Sequence, residues 1–390
     1  MRFPLLAPCA AAAALAILPK PTAGDAAQPT WPNGPASDPA FFPIAVWLQS
    51  PANASRYRAA GINTYVGLWR GPTEEQLASL KAAGMRVICD QNAVGLAHRN
   101  DPTIIGWMHG DEPDNAQALP DGKGYGPPIP PERIIADYQR IQAADPTRPV
   151  LLNLGQGVAW DGWHGRGVRT NHPEDYPEYA RGGDIISFDI YPACHSHPEV
   201  AGNLSFVGRG VARLVDWTGG GKIIWNCIEC TRIQNPTTKA TPAQVRAEVW
   251  MSIIHGSRGL IYFVHEWEPR FREAALLDDP EMLAMVTGVN HQVTRLAPVI
   301  HAEPDAGNIT VETTPAEAAV AWMARRHAGR LHLFAVGMQN GPVEARFTGL
   351  GFSGTKDVEV IDESRTLSAR DGRFTDRFAP WEVHLYRIPE

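Results

Sequence analysis

The sequence predicts an α/β protein: a (β/α)8 TIM barrel over residues 41–300, followed by a small antiparallel β-sandwich over residues 305–390. Two observations favour this fold class. Eight short apolar runs alternate with amphipathic stretches as far as residue 300. Beyond that point the runs alternate polar and apolar residues, and turns such as Ala328-Gly329 and Asp371-Gly372 separate them. A chain of 390 residues suits a barrel of about 250 residues plus a smaller module.

The predicted barrel strands are residues 43–49, 63–69, 86–92, 104–111, 150–155, 184–191, 222–229 and 259–265. Their near-continuous apolar character indicates parallel strands that are buried on both faces. Helices are predicted at 73–83, 132–144 and 242–255, and Gly61, Gly84 and Gly259 suit helix C-caps before the next strand. An open doubly wound sheet is the competing architecture, but it would need a glycine-rich phosphate turn that this sequence lacks.

The first 27 residues predict a signal peptide, because Arg2 precedes an apolar run over residues 5–18 that is too short to span a bilayer. We therefore expect a secreted or periplasmic protein, and no later run is long enough to predict a membrane span. The net charge of -7 and the lack of basic clusters argue against a nucleic-acid partner. A neutral oligo- or polysaccharide fits this charge balance best, and the sequence leaves the oligomeric state open.

Four cysteines follow the predicted signal peptide: Cys89, Cys194, Cys227 and Cys230. Buried thiols and a disulfide both remain possible, with Cys194 and Cys230 as the first pair to test. A structural zinc site would need a second pair beside Cys227-x-x-Cys230, and none exists. A metal hydrolase of the barrel type typically has His-x-His at the end of strand one, where this chain has Leu48-Gln49-Ser50. We therefore expect neither a metal nor a cofactor.

Acidic residues stand at the ends of several predicted strands: Asp90, Asp111, Glu112, Asp189, Glu229 and Glu266. Barrel enzymes build their active sites at the carboxyl ends of the strands. Glycoside hydrolysis needs two carboxyl groups that flank the scissile bond. Glu112 follows strand four directly before a Pro- and Gly-rich loop at 117–131, and Glu229 ends strand seven. This pattern predicts a glycoside hydrolase.

Asp111-Glu112-Pro113 after strand four and Glu229 after strand seven resemble the arrangement of glycoside hydrolase clan A. The resemblance implies that Glu112 is the acid/base and Glu229 the nucleophile of a retaining enzyme, which we expect to act on a neutral, β-linked glycan. The clan commonly has Asn at the position of Asp111. The extra negative charge would raise the pKa of Glu112. The structural alternatives are a helix N-terminal carboxylate for Glu112 and a salt bridge to Arg232 or Arg246 for Glu229.

The other candidate residues are expected to bind the substrate. Tyr191 and Trp267 resemble the clan's tyrosine beside the nucleophile and its tryptophan under the sugar ring. The further candidates are Trp47, Trp69, Asp90, Asn92, Asn153, Asp189 and His265 together with Asp111. Two other functions remain open from the sequence: a non-catalytic carbohydrate-binding barrel, and a barrel hydrolase that cleaves another type of bond. The sandwich offers no clear aromatic platform, so we expect it to be structural.

Overall fold

The structure, a computed structural model, describes residues 29–35 and 37–390. The predicted signal peptide at 1–27 lies outside the described residues. The parallel strands are β1 (Ile44–Trp47), β2 (Thr64–Val66), β3 (Arg86–Cys89), β4 (Ile104–Met108), β5 (Val150–Leu154), β6 (Ile185–Phe188), β7 (Ile223–Ile224), β8 (Asn226–Glu229) and β9 (Leu260–Phe263). Each lies within one of the eight predicted strand segments.

The parallel sheet closes through an interrupted seventh strand. The sheet order is β7-β6-β5-β4-β3-β2-β1-β9-β8, and only Trp225 separates β7 from β8 along the chain. The two pieces therefore form one strand, paired through β7 with β6 and through β8 with β9. Trp225 itself is buried in the barrel interior. The predicted (β/α)8 fold class is confirmed.

The helices are α1 (Ala54–Ala59), α2 (Glu74–Ala82), α3 (Ala93–Ala97), α4 (Pro131–Ala144), α5 (Tyr176–Tyr179), α6 (Ser205–Trp217), α7 (Pro242–Ile254) and α8 (Pro280–Ile300). Their starts follow local sequence signals. Thr73 and Thr241 form capping boxes with the glutamines three residues later, and α4, α7 and α8 begin with proline. The three predicted helices are confirmed to within a residue or two at each end.

Two of the three predicted C-cap glycines take that role. Gly61 and Gly84 have φ of 78° and 67°, the left-handed region that follows a helix end. Gly259 was expected to do the same, but Gly256, with φ 113°, makes the turn after α7. Gly259 instead faces the Trp225 ring, where an added Cβ would lie 2.4 Å from a ring carbon. It is required for close packing rather than for a cap.

The second domain has the two antiparallel sheets of the predicted sandwich. Its strands are β10 (Thr310–Thr314), β11 (Val320–His327), β12 (Arg330–Gly337), β13 (Val343–Thr348), β14 (Thr355–Val360), β15 (Arg365–Arg370), β16 (Phe374–Phe378) and β17 (Val383–Pro389). One sheet has the order β10-β13-β16 and the other β11-β12-β17-β14-β15. The larger sheet packs on α7, where the rings of Trp250 and Phe334 meet edge to face at 5.2 Å.

Cys89, Cys194, Cys227 and Cys230 are all free and buried, so the thiol alternative holds over the described residues. The Cys194–Cys230 disulfide is not formed. Within 29–35 and 37–390, no helix is both long and apolar enough to cross a membrane.

Candidate active site

The mouth of the barrel brings together residues that follow strands β4, β5 and β6. Glu112, four residues after β4, has φ of 42°, a left-handed conformation that is uncommon for a glutamate. Its backbone N–H donates to the Asn153 carbonyl oxygen at 3.0 Å, which ties the turn after β4 to β5. Strained backbone of this kind is concentrated at functional sites. No helix starts at Pro113, so the helix-terminus interpretation of Glu112 does not apply.

The carboxyl groups of Glu112 and Asp189 lie side by side at the mouth, so that each affects the pKa of the other. Burial, followed by the Asp189 charge, raises the pKa of Glu112 well above its usual value. Burial raises the pKa of Asp189 to about 7, and the neighbouring Glu112 carboxyl offsets part of the rise. Two adjacent carboxylates in a desolvated site cannot both ionise without a large cost. The stronger rise falls on the pKa of Glu112, which favours Glu112 as the protonated member of the pair.

Asp111 is held by a chain of polar side chains from two strands. The Ser187 hydroxyl donates to Asn153 Oδ1 at 2.8 Å, and Asn153 Nδ2 donates to Asp111 Oδ1 at 3.0 Å. Asp111 reaches solvent, yet desolvation by the walls of the mouth, together with the Glu112 charge, raises its pKa to about 7. The sequence predicted that Asp111 would be the charge that raises the pKa of Glu112. In the structure Asp189 has that effect, because its carboxyl contacts Glu112 directly.

A row of aromatic rings leads from this pair to the solvent. Tyr191 lies beside Asp189, whose charge raises the pKa of the Tyr191 hydroxyl after the effect of burial, and its ring lies 5.2 Å from Phe263. Phe263 stacks on Trp267 at 5.5 Å, and Trp267 contacts Phe271 at 5.9 Å. Trp267 is 41% exposed and Phe271 54% exposed. The exposed faces can stack on the C–H surfaces of a sugar.

The remaining predicted residues divide into exposed and structural positions. Trp69 is 53% exposed after β2, and Asp90 is exposed after β3. Trp47 is buried in the barrel interior, so it packs and offers no free face. Asn92 caps α3, because its side chain accepts from Gly95 N–H at 2.8 Å and donates to the Pro72 carbonyl at 2.9 Å.

His265 is buried beneath Trp267. Gln49 Nε2 lies 3.1 Å from its Nε2, and burial lowers the pKa of His265 to about 4. The ring is therefore neutral and supports the aromatic row. Within the described part of the chain, no group of three or more His, Cys, Asp or Glu side chains could hold a metal ion.

A cavity of about 320 Å³ opens beside Asp111, between the mouth and α4. Its polar lining includes Gln91, His109, Asp111, Gln117, Asp137 and Arg140. Its volume is at the lower end of the range for small-molecule pockets. The loop predicted at 117–131 closes one side of this region through Gln117 and Ile129.

Glu229 is not among the groups that surround Glu112 and Asp189. It is fully buried, and its two carboxyl oxygens accept backbone N–H groups from Ala193 at 2.5 Å and Cys194 at 2.9 Å. Its carboxyl neighbour is Glu248 of α7. Such a position does not favour the nucleophile role predicted for Glu229, because a nucleophile needs an oxygen that is free to reach the substrate.

The salt bridge considered for Glu229 does not form either. Arg232 donates to the Pro236 carbonyl at 3.4 Å and Arg246 to the Val383 carbonyl at 3.1 Å.

Three residues of this region were missed in the sequence. Asn115 Nδ2 donates to Glu112 Oε2 at 2.9 Å, and Trp163 Nε1 donates to Asn115 Oδ1 at 2.8 Å. Asp114 is fully buried and accepts from Gly155 N–H and from the Tyr176 hydroxyl. The signal was the run Asp114-Asn115 directly after the Asp-Glu-Pro motif, since two more polar residues in a tight turn point back to the same site.

No protein-family model and no curated protein matches the sequence. Solved structures do match. An α-amylase from Geobacillus thermoleovorans complexed with acarbose has a TM-score of 0.52 and 10% identity, over 93% of this chain and 99% of its own. A noncanonic maltogenic α-amylase from Thermotoga neapolitana has a TM-score of 0.52 and 10% identity, over 91% and 100%. A putative α-galactosidase/melibiase from Bacteroides fragilis has a TM-score of 0.51 and 9% identity, over 90% and 79%.

At this level of identity the likeness shows the fold. A barrel followed by a β domain is shared over nearly the whole of this chain. The fold that the clan A resemblance implied is thereby confirmed. Catalytic residues and substrate have to be argued from the side chains at the mouth.

Proposed function

We propose that this protein is a glycoside hydrolase that cleaves O-glycosidic bonds of an oligo- or polysaccharide, with Glu112 as the general acid. The observation that carries the proposal is the position of Glu112 at the mouth of the barrel, where a strained turn and the Asn115 hydrogen bond hold its carboxyl group beside Asp189. A carboxyl group that keeps its proton near neutral pH is what protonation of a leaving glycosidic oxygen requires. The exposed rings of Trp267 and Trp69 supply stacking surfaces for sugars.

The second carboxylate in this proposal is Asp111. Asp189 contacts Glu112 directly, which leaves no room for a sugar between them, since catalytic pairs are separated by about 5–9.5 Å. Asp111 is open to solvent, Asn153 orients its Oδ1, and its pKa of about 7 allows it to ionise while Glu112 remains protonated. It would attack the anomeric carbon or take a proton from the attacking water, while Glu112 gives its proton to the leaving oxygen.

The stereochemistry of the reaction, the charge of the glycan and its linkage, as the sequence predicts them, belong to the same proposal. Retention of configuration, with Glu229 as nucleophile, was implied by the clan A resemblance, and a neutral glycan by the charge balance; the β-linkage was part of the same expectation. If the enzyme is retaining, its nucleophile would be Asp111. The named substrates and ligands of the structural neighbours include acarbose, which supports an oligosaccharide ligand at this kind of mouth.

Hydrolysis of a panel of α- and β-linked glycans, followed by NMR of the product anomer, tests the proposal. We expect release of a reducing sugar from at least one glycan, with the first-formed anomer reporting retention or inversion. Binding without turnover across the panel would favour a non-catalytic carbohydrate-binding barrel. Turnover of acyl or amide substrates alone would favour a hydrolase of another bond. Either result would overturn the proposal.

Export is also part of the proposal. It rests on the positively charged start and short apolar run of the first 27 residues. Expression of the full chain and cell fractionation test it. We expect a shortened protein in the periplasm or medium, and retention of the full-length chain inside the cell would contradict it.

A further inference from the structure

Glu229 and Glu248 form a second pair of carboxyl groups, in the layer between the seventh barrel strand and α7. Both side chains are fully buried, and the charge of Glu229 adds to the effect of burial in raising the pKa of Glu248. The other titratable groups that face the pair are the thiols of Cys194 and Cys230. Farther out, Lys239 and Asp279 pair with each other. Neither glutamate therefore titrates against a direct cationic partner among the described residues.

The proton of this pair resides on Glu248. Glu229 accepts two backbone N–H groups, which stabilise its ionised form. Neither oxygen of Glu248 receives a hydrogen bond from a donor group in the described structure, and burial raises its pKa well above the usual value. With Glu248 protonated, the pair carries a single negative charge, and that charge faces the Ala193 and Cys194 amides.

The two amides belong to the chain that leaves the candidate active site. Asp189 and Tyr191 come directly after β6, and Ala193 and Cys194 follow within five residues of Asp189. The Cys194 carbonyl oxygen accepts from Asn235 Nδ2 at 2.8 Å, so this segment is also held from the chain after β8. The position of the Asp189 carboxyl therefore depends on anchors supplied by the seventh strand.

We propose that Glu229 is a positioning residue: by binding the Ala193 and Cys194 amides it holds the segment after β6 so that Asp189 stays against Glu112. The inference rests on the proposed function, since the Glu112–Asp189 contact is what that function uses. It gives the strand-seven glutamate a role other than that of nucleophile. A protonated Glu248 supports this role, because it places no second negative charge beside the buried Glu229 carboxylate.

Glu229→Gln tests the proposal, with Asp184→Asn as the matched control. A glutamine has one acceptor oxygen, and its NH2 group would face a backbone N–H, so one anchor is lost. We expect kcat to fall by about 10- to 100-fold with KM little changed, as for a small misplacement of catalytic groups. We also expect the alkaline limb of the kcat–pH profile to move to lower pH, because Asp189 no longer faces Glu112 closely. The other groups that face the Glu112–Asp189 pair also affect this limb, but the substitution leaves them in place. They are Asp111, Asp114, Asn115, Tyr191 and Cys227.

Asp184 is buried directly before β6, at the end of that strand opposite to Asp189. Its carboxyl group accepts from Val150 N–H at 3.0 Å and from the Tyr138 hydroxyl at 2.6 Å. Asp184→Asn should lower the melting temperature and leave the pH limb in place. Asn235→Ala, which releases the Cys194 carbonyl without altering a buried acid, should shift the limb in the same direction as Glu229→Gln. An unchanged limb in both Glu229→Gln and Asn235→Ala would overturn the proposal.

Chemical rescue separates positioning from nucleophilic attack. We expect Glu229→Ala to give no glycosyl azide in the presence of azide, since no covalent intermediate forms on this residue. Formation of glycosyl azide would make Glu229 the nucleophile and overturn the proposal. A carboxyl ¹³C NMR titration of Glu112 and Asp189 needs no substrate. If wild type hydrolyses no glycan, the proposed function fails, and a lowered titration midpoint in Glu229→Gln still supports positioning. An unchanged midpoint contradicts it.

Discussion

The contact between Glu112 and Asp189 sets the protonation of the mouth at the level of single side chains. Burial and then the Asp189 charge raise the pKa of Glu112, while burial raises that of Asp189 to about 7. The like charge and the burial therefore favour one proton on Glu112. Asn115 steadies the other side of the Glu112 carboxyl through a 2.9 Å hydrogen bond. The acid is thus positioned and kept protonated by neighbours on two different strand ends.

Replacing Asp189 with asparagine should make Glu112 a stronger acid. Asp189→Asn removes the charge that raises the pKa of Glu112, so the protonated fraction of Glu112 at neutral pH falls. We expect the alkaline limb of kcat/KM to move to lower pH and activity near pH 7 to decrease, measured as a pH–rate profile on the preferred glycan. Asp184→Asn is the control on the same strand. A limb that stays in place, or moves to higher pH, would contradict this account of the pair.

The sequence indicated part of this site, and particular residues explain the limit. Glu112 and Asp111 could be predicted because a short motif marks the end of a strand whose apolar run is clear. Asn115 could not be assigned, because its contact depends on how the turn after Glu112 folds. Glu229 was correctly assigned to a strand end. Its contacts there are set by two backbone amides of another loop and by Glu248, and such long-range partners do not appear in a local pattern.

At the level of elements, the segment after β9 supplies the aromatic face of the mouth. Phe263 and Trp267 stack at 5.5 Å, and Trp267 keeps 41% of its surface exposed. Trp267→Ala should remove stacking on the sugar of about 0.5–1.5 kcal/mol, which corresponds to a rise in KM of about 2- to 12-fold. We expect kcat to change little, since the ring does not contact the carboxyl pair. Steady-state kinetics on the preferred glycan measure this effect.

Trp322→Ala is the control for Trp267→Ala, since Trp322 lies in the sandwich strand β11 and is also partly exposed. An unchanged KM in Trp267→Ala, or an equal rise in both variants, would show that the ring does not bind substrate.

Helix α7 carries a buried acid that makes stability depend on pH. The folded-state pKa of Glu248 is raised, so the folded protein binds a proton that the unfolded chain releases above about pH 4.3. Its contribution to stability is therefore present at low pH and is lost as pH rises, by up to about 1.4 kcal/mol per unit. Glu248→Gln has no proton to release. The melting temperature of this variant relative to wild type should rise between about pH 5 and about pH 9, measured by thermal unfolding. A constant difference across that range would contradict a protonated Glu248.

The same helix shows the limit of what periodicity can reveal. The capping signal and apolar content of the sequence indicate the helix, but it is buried almost all round from Ala247 to Ile254, so the burial of Glu248 could not be predicted from apolar spacing. The interruption of the seventh strand at Trp225 could not be predicted from the sequence pattern either. In the sequence, the two residues of β7 belong to one continuous apolar run with β8. In the structure, the strand is interrupted where the buried Trp225 packs on Gly259.

At the level of the whole molecule, the apolar cluster of the barrel continues into the larger sheet of the sandwich, which also has a core of its own. Trp250 and Val249 of α7 belong to the same buried cluster as Phe334, Val336 and Leu385 of the sandwich. We therefore expect the two parts to unfold together, as a single calorimetric transition whose van't Hoff and calorimetric enthalpies agree. Trp250→Ala should lower stability by about 3–5 kcal/mol. Two separate transitions in wild type would contradict a shared cluster.

The central claim is that Glu112 protonates the leaving oxygen of a glycosidic bond, and the dependence of Glu112→Gln on the leaving group tests it most directly. The sugar alkoxide that leaves a natural glycan needs that proton. The phenolate that leaves a glycoside of an acidic phenol is stable enough to depart without it. We expect kcat/KM of Glu112→Gln to fall by about 10²- to 10⁴-fold on the glycan and by much less on the aryl glycoside of the same sugar. An equal loss on both substrates, or no loss on the glycan, would contradict the assignment.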